Sequence, residues 1–488
     1  MKNTSRTYKT LFIVMLTTIG LMSCNKDIDL APESNYNAKD FYKSENDFTL
    51  AIAGTYGGLR GIHSYQYPIV VESLSDNVST STNNPYTRLT LNDGDANVLS
   101  LWSAYWTIIN RTNNILDQID GGEFSTPTLQ DRIKGEALFI RGFCYFQLGW
   151  LFGGVPLVDH VTPEHELLQL TRTSQAETLA FAAQNLEAAA TLLPEENTGG
   201  NLGRATKFSA LGLLGRLHLF TKDYNKAKEA LSLVIQSENY DMYPDYKDCF
   251  LNTKDNGIEH VFQIQYTERL INQGNPLVYT LVPENIRSPQ FPSGGRSLWL
   301  AVSNDLYEAY EEGDLRRDIT IQKGYVTSSN VTDENTLLYI KYAHGTVPGL
   351  PEDNDVNLSV LRYTDVLLMY AESLNELEYE VDGEALSILN AVRERADLDF
   401  YNPSDLTTQD QFREALFKER RVEFACEFFR WFDLIRQGRD KTSSIMTNFL
   451  IRTDEGSGTY VFNDKFMLLP IPAAERQVNN SLEPNPGY

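Results

Sequence analysis

Residues 211–234 read LGLLGRLHLFTKDYNKAKEALSLV, and they contain the clearest structural pattern in the chain. The small and apolar positions of that pattern are Leu211, Leu214, Gly215, His218, Ala227, Leu231 and Val234. They recur every three or four residues on both sides of Asp223 and Tyr224, which is the period of one helical face. Gly215 and Ala227 are small enough to let two helices approach closely. The stretch therefore predicts two helices packed against each other across a short turn.

This spacing matches a tetratricopeptide (TPR) unit, a helix pair that recurs in arrays. A looser copy occurs later in the chain, at Leu367, Leu368, Ala371, Leu374, Gly383, Ala385, Leu389 and Val392. One such unit cannot bury its own apolar face, so neighbouring helix pairs are needed. We therefore expect helix pairs over about 100–240 and again over about 360–437.

Long polar segments separate these helical blocks. Residues 63–98 and 241–358 are rich in Asn, Asp, Gly, Pro, Ser and Thr, with scattered aromatic residues and short β-like runs. Loops of this length are uncommon in a compact domain unless they are functional. The chain is thus predicted to be mainly α-helical, with long loops and small β elements forming a binding surface.

The N-terminus has the features of an export signal. Lys2, Arg6 and Lys9 precede the apolar run 11–21, which is shorter than the roughly 20 apolar residues of a membrane span. Leu-Met-Ser-Cys at 21–24 resembles the lipobox of bacterial lipoproteins. That resemblance implies removal of residues 1–23 and attachment of lipid chains, palmitate among them, to Cys24. The alternative is an ordinary signal peptide with a chance cysteine.

The charge of the chain argues against nucleic acid as a partner. Lys and Arg number 42 against 66 Asp and Glu, which gives a net charge of −24 over 488 residues. Loss of the signal removes three positive charges and no acidic residue, so the remainder carries −27. A surface this acidic repels phosphate backbones and anionic lipid head groups. The lipid is therefore the expected membrane contact.

The remaining cysteines agree with a large core that does not need disulfides. Cys144, Cys249 and Cys426 are odd in number, and two of them lie in apolar helical patterns. Buried free thiols are the favoured interpretation, although one disulfide stays possible. The Cys and His spacings do not match a zinc site, and no cofactor is expected.

Several longer motifs resemble the SusD/RagB family of outer-membrane nutrient-binding lipoproteins from Bacteroidota. They are RYTDVLLMYAESLNE at 362–376, VRERA at 392–396, ERRVEFACE at 419–427, RWFDLIR at 430–436, LPIP at 469–472 and NPGY at 485–488. Near the front, 135–141 and FGGVPL at 152–157 also fit. The resemblance covers nearly the whole chain, and Pro484 departs from a frequent Gln at that position.

The resemblance implies a single SusD-like domain, 24–488, lipid-anchored at the outer membrane and facing the cell surface. Such proteins bind oligosaccharides and deliver them to a SusC-like TonB-dependent transporter, and they are not enzymes. The acidic residues Asp27 and Asp29 resemble the signal that sends these lipoproteins to the surface.

Sugar binding needs flat aromatic faces for the apolar side of a pyranose and planar polar groups for its hydroxyls. The candidates in the irregular segments are Trp299, Tyr65, Tyr86, Tyr266, Tyr279, Asp76, Asn84 and Arg88. Trp102, Trp106, Trp150 and Trp431 lie on helical stripes, where core packing already explains them.

Two other functions are weighed against glycan binding. A TPR adaptor that binds only proteins predicts no exposed aromatic surface in 63–98 and 266–300. A peptide receptor of the same fold is a further alternative. A surface glycoside hydrolase predicts two carboxylates about 5–10 Å apart in a cleft. The acidic residues Glu419, Glu423 and Glu427 could suggest such a pair, but the nearby arginines of 420–436 favour a structural ion-pair network. The run 352–355 would also permit a structural cation.

Overall fold

The computed structural model describes residues 41–79, 84–268, 273–289, 291–296, 298–345, 354–453 and 462–488. Within them the helices are α1 Glu45–His63, α2 Gln66–Ser73, α3 Ala96–Gln118, α4 Pro127–Phe152, α5 Glu164–Leu167, α6 Gln175–Leu192, α7 Lys207–Phe220, α8 Tyr224–Ile235, α9 Leu277–Thr280, α10 Asn304–Ala309, α11 Leu315–Thr320, α12 Tyr363–Leu377, α13 Glu384–Arg395, α14 Gln409–Glu423, α15 Arg430–Arg436, α16 Arg439–Thr453 and α17 Ala473–Val478. The strands are β1 His260–Ile264, β2 Ile321–Val326, β3 Thr332–Tyr339 and β4 Leu358–Arg362. The mainly helical prediction is therefore confirmed.

Several of these helices begin at local capping sequences. Ser44, Ser174, Thr206 and Thr408 each accept a hydrogen bond from the backbone three residues on, and the residue at that position bonds back to the cap. Such reciprocal caps satisfy backbone donors that the first turn leaves without helical partners. In the part of the chain that the structure describes, helices are too short or too polar to cross a bilayer.

The predicted helix pair in 211–234 is confirmed as α7 and α8, which pack on each other. Asp223 caps α8 by accepting from the Lys226 amide, and Lys222 takes a left-handed φ of 61° in the turn. A Cβ added at Gly215 would lie 2.5 Å from Leu231 Cγ, so the small residue is required by the close approach. The assignment of this pair as a TPR unit stays a prediction.

The helices pack in a continuous series. Contacts run from α3 to α4, α4 to α6, α6 to α7, α7 to α8, α8 to α12 and α12 to α13. Because each helix buries one face against each neighbour, the large apolar core extends through the series. A smaller apolar cluster joins α12, α13 and α14 through Leu368, Leu389 and Phe412.

The strands of the described residues form two antiparallel pairs, β1 with β4 and β2 with β3. Strand β4 runs directly into α12, and its last residue, Arg362, is also the N-cap of the helix. Pairing with β1 therefore fixes the long 241–358 segment to the helical series.

The core residues predicted from helical stripes are buried. Trp102, Trp150 and Trp431 are each 2% exposed, and their neighbour Trp106 is partly buried. Cys144, Cys249 and Cys426 are buried free thiols, as the favoured interpretation predicted.

Candidate functional site

The two polar segments predicted to form a binding surface meet in the structure. Val78 and Val302 form an antiparallel bridge. On either side of it, the Ser79 amide donates to Ala301 O at 2.7 Å, and the Ser303 amide donates to Asn77 O at 2.8 Å. These backbone bonds hold the first loop beside the second.

Next to this junction, Tyr65 and Trp299 form an aromatic pair. Their ring centroids are 6.4 Å apart and the planes make an angle of 74°, an edge-to-face arrangement. Both side chains are half-buried, so part of each ring remains at the surface. Burial raises the pKa of Tyr65, and the positive charge of the exposed Arg296 acts against that rise. Arg296 therefore lies close enough to act on the aromatic pair.

A cleft of about 800 Å³ adjoins the same loop, between residues 284–294 and the end of the β2–β3 hairpin. Phe291 forms part of its wall and packs edge-on against Tyr279, with centroids 5.7 Å apart. Arg287 contributes a positive charge to the lining. The cleft lining ends at Gly294, and Trp299 follows five residues later in the chain. Between them, the Arg296 amide donates to Tyr279 O at 2.9 Å.

Two glycines shape this segment. Gly294 has φ of +75°, and a Cβ there would lie 2.2 Å from Glu284 O. At Gly295 a Cβ would lie 2.1 Å from Val282 O. The backbone of 294–295 thus packs directly against 282–284. This close contact holds the next residue, Arg296, near the aromatic pair.

We compared the chain with known proteins. A family model described as the SusD family matches residues 307–488, and one described as "Starch-binding associating with outer membrane" matches residues 29–219. SusD-like protein P2 of Formosa agariphila is 27% identical over 99% of both chains.

The chain belongs to the SusD/RagB family. Two solved structures agree with it in fold. One is a surface glycan-binding protein A from Bacteroides fluxus, with a TM-score of 0.78, 22% identity and coverage of 91% of this chain and 100% of that one. The other is a laminarin-binding SusD-like protein, with a TM-score of 0.75, 23% identity and coverage of 92% and 100%. The SusD-like fold predicted from the motifs is therefore confirmed.

In this SusD/RagB chain, several predicted ligand residues lie beneath the surface. Tyr86 is 1% exposed, and its hydroxyl donates to Asp95 Oδ1 at 2.6 Å. Asn84 accepts from the Tyr86 amide at 2.9 Å and donates to Ser73 Oγ at 2.9 Å. We assign these buried side chains a supporting role under the first loop, because their polar groups are already occupied by protein partners.

Tyr266 and Tyr279 are also buried, at 5% and 0% exposure. The Tyr266 hydroxyl lies 3.3 Å from Ser64 Oγ, and Tyr279 backs Phe291 as described above. Both side chains lie beneath the surface, and their contact with a ligand stays a prediction. Arg88 is exposed, as a ligand residue requires.

Asp76 belongs to an ion pair. Its two oxygens accept from Arg430 Nε and Nη2 at 2.7 and 2.8 Å, and Arg421 lies 3.2 Å away. Burial alone would raise the pKa of Asp76, but Arg421 and Arg430 hold it well below its usual range. A buried carboxylate with two arginine partners positions the loop and has little capacity left for a sugar.

The predicted ion-pair network of the charged helices is confirmed and is larger than expected. Its central cations are Arg316, Lys341, Arg362, Arg393 and Arg395, and its anions are Glu259, Asp314, Glu419, Glu423 and Glu427. A second group joins Arg216, Asp365, Arg420, Asp433, Arg436 and Glu372. Because these carboxylates are buried and bonded to cations, they form a structural ion-pair network.

The possible cation site in 352–355 lies partly outside the described residues. Of those described, Asn354 accepts from the Val356 amide and Asp355 accepts from Asn252 Nδ2 at 2.8 Å. Among the described residues, groups of three or more His, Cys, Asp or Glu able to hold a metal were not found.

Sequence reasoning missed the cleft with its Arg287, and it did not name Arg296 beside the aromatic pair as a candidate. Arg296 directly follows two glycines, and that Gly-Gly-Arg turn was the available signal. The sequence around Arg287 gave no signal, because the cleft that Arg287 lines is closed by the β2–β3 hairpin, which is distant in the chain.

Proposed function

We propose that this protein captures oligosaccharides at the cell surface and delivers them to a SusC-like TonB-dependent outer-membrane transporter, without catalysing a reaction. The observation that carries the proposal is the half-buried Tyr65–Trp299 pair beside Arg296. Partly exposed aromatic rings offer a flat apolar face to a pyranose, and a guanidinium offers several donors to its hydroxyls.

The neighbouring cleft supports the same ligand class. Its volume of about 800 Å³ lies in the range of about 300–1,000 Å³ that is typical of ligand pockets. Its walls combine apolar Ile286 and Phe291 with polar Arg287, Ser288 and Ser293. An oligosaccharide could place one ring against Trp299 and further rings along this cleft.

The comparisons add support from relatives. One structural neighbour binds laminarin, another is a surface glycan-binding protein, and one matching family model is described as starch-binding. A TPR adaptor that binds only proteins would not require a half-buried aromatic pair, so the pair favours glycan binding over that alternative.

For the cellular location, we propose cleavage after Ser23 and lipid attachment at Cys24, which lies outside the described residues. The remainder, 24–488, would form one domain tethered to the outer membrane. The description of the matching family as associating with the outer membrane supports this location. Several lipid chains are needed for stable anchoring, since each buried CH₂ contributes about 0.8 kcal/mol.

The test is calorimetric binding of residues 25–488 to plant, host and microbial glycans, including laminarin and starch oligosaccharides. We expect saturable binding to one class, weakened about tenfold or more by Trp299→Ala. Phe400→Ala, which removes an aromatic side chain that is 53% exposed on another loop, is the matched control and should change nothing.

Failure of every glycan to bind to the folded protein would contradict the proposal. Binding of peptides in the same assay would identify the peptide receptor instead. Release of shortened sugars during the titration would identify a hydrolase.

A further inference from the structure

Arg421, on α14, contacts both loops of the candidate site. In the first loop, its Nε donates to Asn77 Oδ1 at 3.0 Å, and its Nη2 donates to Asp76 O at 2.9 Å. In the second loop, the same Nη2 donates to Asp305 Oδ2 at 2.9 Å. One guanidinium therefore joins two segments that are far apart in the chain.

These contacts adjoin the backbone bridge between Val78 and Val302. Asp76 O also accepts from Ser303 Oγ at 2.8 Å, so both loops meet at that carbonyl group. Trp299 lies three residues before the bridge in the second loop. A shift of one loop against the other would therefore change the position of Trp299 on the surface.

The contacts require a guanidinium and not only a positive charge. A guanidinium carries its N–H donors in a fixed planar fork, whereas an ammonium is a compact point charge on a flexible stem. Arg421 uses its fork on a side-chain amide, a backbone carbonyl and a carboxylate. Arg430 is bound to the carboxylate of Asp76 in the first loop, and Arg421 adds the link to the second.

Arg421 lies beneath the surface that a ligand would touch. Its side chain is 11% exposed, and its Nη2 lies 3.2 Å from Asp76 Oδ2 and 2.9 Å from Asp305 Oδ2. These two anions offset the cost of burying its charge. Because Nε and Nη2 are already bonded to protein acceptors, we expect Arg421 to act on a ligand through the loops and not by direct contact.

We propose that Arg421 is a positioning residue of the glycan site, which holds the first loop against the second so that Tyr65 and Trp299 form one surface. This role rests on the proposed function, since it belongs to the same site. Arg421 contributes to affinity by keeping the two rings in the geometry that a ligand meets, so that binding does not have to order the loops.

The first test reads the position of Trp299 without any ligand. The detergent-solubilised mature chain, residues 24–488, is labelled with fluorotryptophan, and Trp299→Phe assigns the Trp299 signal among the five tryptophans. We expect Arg421→Lys to shift or broaden the ¹⁹F resonance of Trp299 while that of the buried Trp150 stays unchanged. The matched control is Arg413→Lys, because Arg413 lies on the same helix and forms its ion pairs with residues of α12 and α14.

The second test measures affinity by calorimetry with the best-binding glycan. Arg421→Lys should weaken binding about tenfold, and Arg413→Lys should change it by less than about twofold. In a protein that already carries Trp299→Ala, Arg421→Lys should add a loss of less than about twofold, because the effects of residues that act through each other are not additive.

A covalent link between the loops should replace the role of the guanidinium. Val78 and Val302 form a non-hydrogen-bonded antiparallel pair, in which the Cα atoms lie about 4.5 Å apart, and this separation suits a disulfide. Val78→Cys with Val302→Cys, added to Arg421→Lys and oxidised, should return the affinity to within about threefold of that of the unsubstituted protein. Reduction of the disulfide should abolish this recovery.

Asp305→Asn provides a second variant should Arg421→Lys fail to fold, since it removes the charged acceptor of the second loop and should move the same Trp299 resonance. An unchanged Trp299 resonance in the folded variant, or an affinity that the disulfide does not restore, would overturn the role of Arg421. Absence of glycan binding to the unsubstituted protein contradicts the proposed function instead, and the ¹⁹F measurement, which needs no glycan, still decides whether Arg421 positions the loops.

Discussion

Arg362 and Glu427 form a two-point ion pair in which neither side chain is exposed to solvent. Arg362 Nε donates to Glu427 Oε2 at 2.8 Å, and Nη2 donates to Glu427 Oε1 at 2.8 Å. Arg362 also reaches Glu259 and Glu423, while Lys341 Nζ donates to Glu427 Oε1 at 2.7 Å. Burial of charge is costly, and the pair persists because every side-chain nitrogen of Arg362 and both oxygens of Glu427 have charged partners.

Removal of one charged partner from this pair should therefore strongly destabilise the folded protein. We expect Glu427→Gln to lower the free energy of unfolding by about 3–5 kcal/mol, since it leaves Arg362 and Lys341 buried with less negative charge. Urea unfolding followed by circular dichroism measures the loss. The control is Lys134→Ala, which breaks an exposed pair with Asp120 and should change stability by less than about 1 kcal/mol. Equal effects from the two variants would contradict the role given to burial.

Stability should fall as the pH is lowered, in two stages. Burial lowers the pKa of His63 and His260 to about 4, so the unfolded chain takes up their protons first as pH drops below about 6.5. For Glu259 and Asp365, burial alone would raise the pKa, but neighbouring arginines lower both to about 2. Their stabilisation is present above the unfolded pKa of about 4–4.5 and is lost as pH falls towards 2.

Some buried carboxyls act in the opposite sense, because burial raises the pKa of Glu72, Glu136 and Asp255. Burial raises the pKa of Asp255 to about 7, so its contribution is greatest below about 3.8 and is lost as pH rises to 7. We expect the acid loss to dominate because more groups contribute to it. Urea midpoints from pH 7.5 to pH 3 test this, and a midpoint that rises on acidification would refute it.

Gly154 should not tolerate a side chain. A Cβ at this position would lie 1.7 Å from Thr173 O, which no rotamer change can relieve. Gly154→Ala should cost about 3 kcal/mol or more, because the backbone of 154–155 must separate from 173. Gly121→Ala is the control, since a Cβ there meets nothing within 4 Å. Thermal unfolding distinguishes them, and similar melting temperatures would show that the two chain segments separate easily.

Tyr65 is expected to act through its ring. Tyr65→Ala removes the edge that packs on Trp299 and should weaken glycan binding about tenfold, in keeping with the energy of an aromatic pair. Tyr65→Phe retains the ring and should stay within about twofold. Calorimetry with the best-binding glycan compares them. Equal losses in both variants would assign the effect to the hydroxyl group instead.

Cys24 should be required for anchoring and not for folding. Cys24→Ala is expected to release the protein from the membrane fraction, because the acyl chains can no longer attach. Its melting temperature should match that of the soluble chain 25–488. Retention of the variant in washed membranes would contradict the anchor.

Local pattern was enough to predict the helical series. The caps at Ser44, Ser174 and Thr206 and the small residue at Gly215 act over three or four residues or across a short turn. Interactions over so few residues can be predicted from the spacing of residue types along the sequence. Motif order likewise predicted the family, and the density of opposite charges in 419–436 predicted an ion-pair network.

The position of the candidate site depended on contacts between distant segments. Trp299 reaches Tyr65 because backbone bonds join 77–79 to 301–303, and such bonds leave no mark in side-chain spacing. The same holds for burial: Tyr86 and Asp76 resemble loop ligands in sequence, yet one bonds Asp95 and the other bonds Arg430 from the far end of the chain. Residue type and local period thus determine helices and their packing faces, whereas long-range backbone pairing and the burial of charge decide which loop side chains remain at the surface.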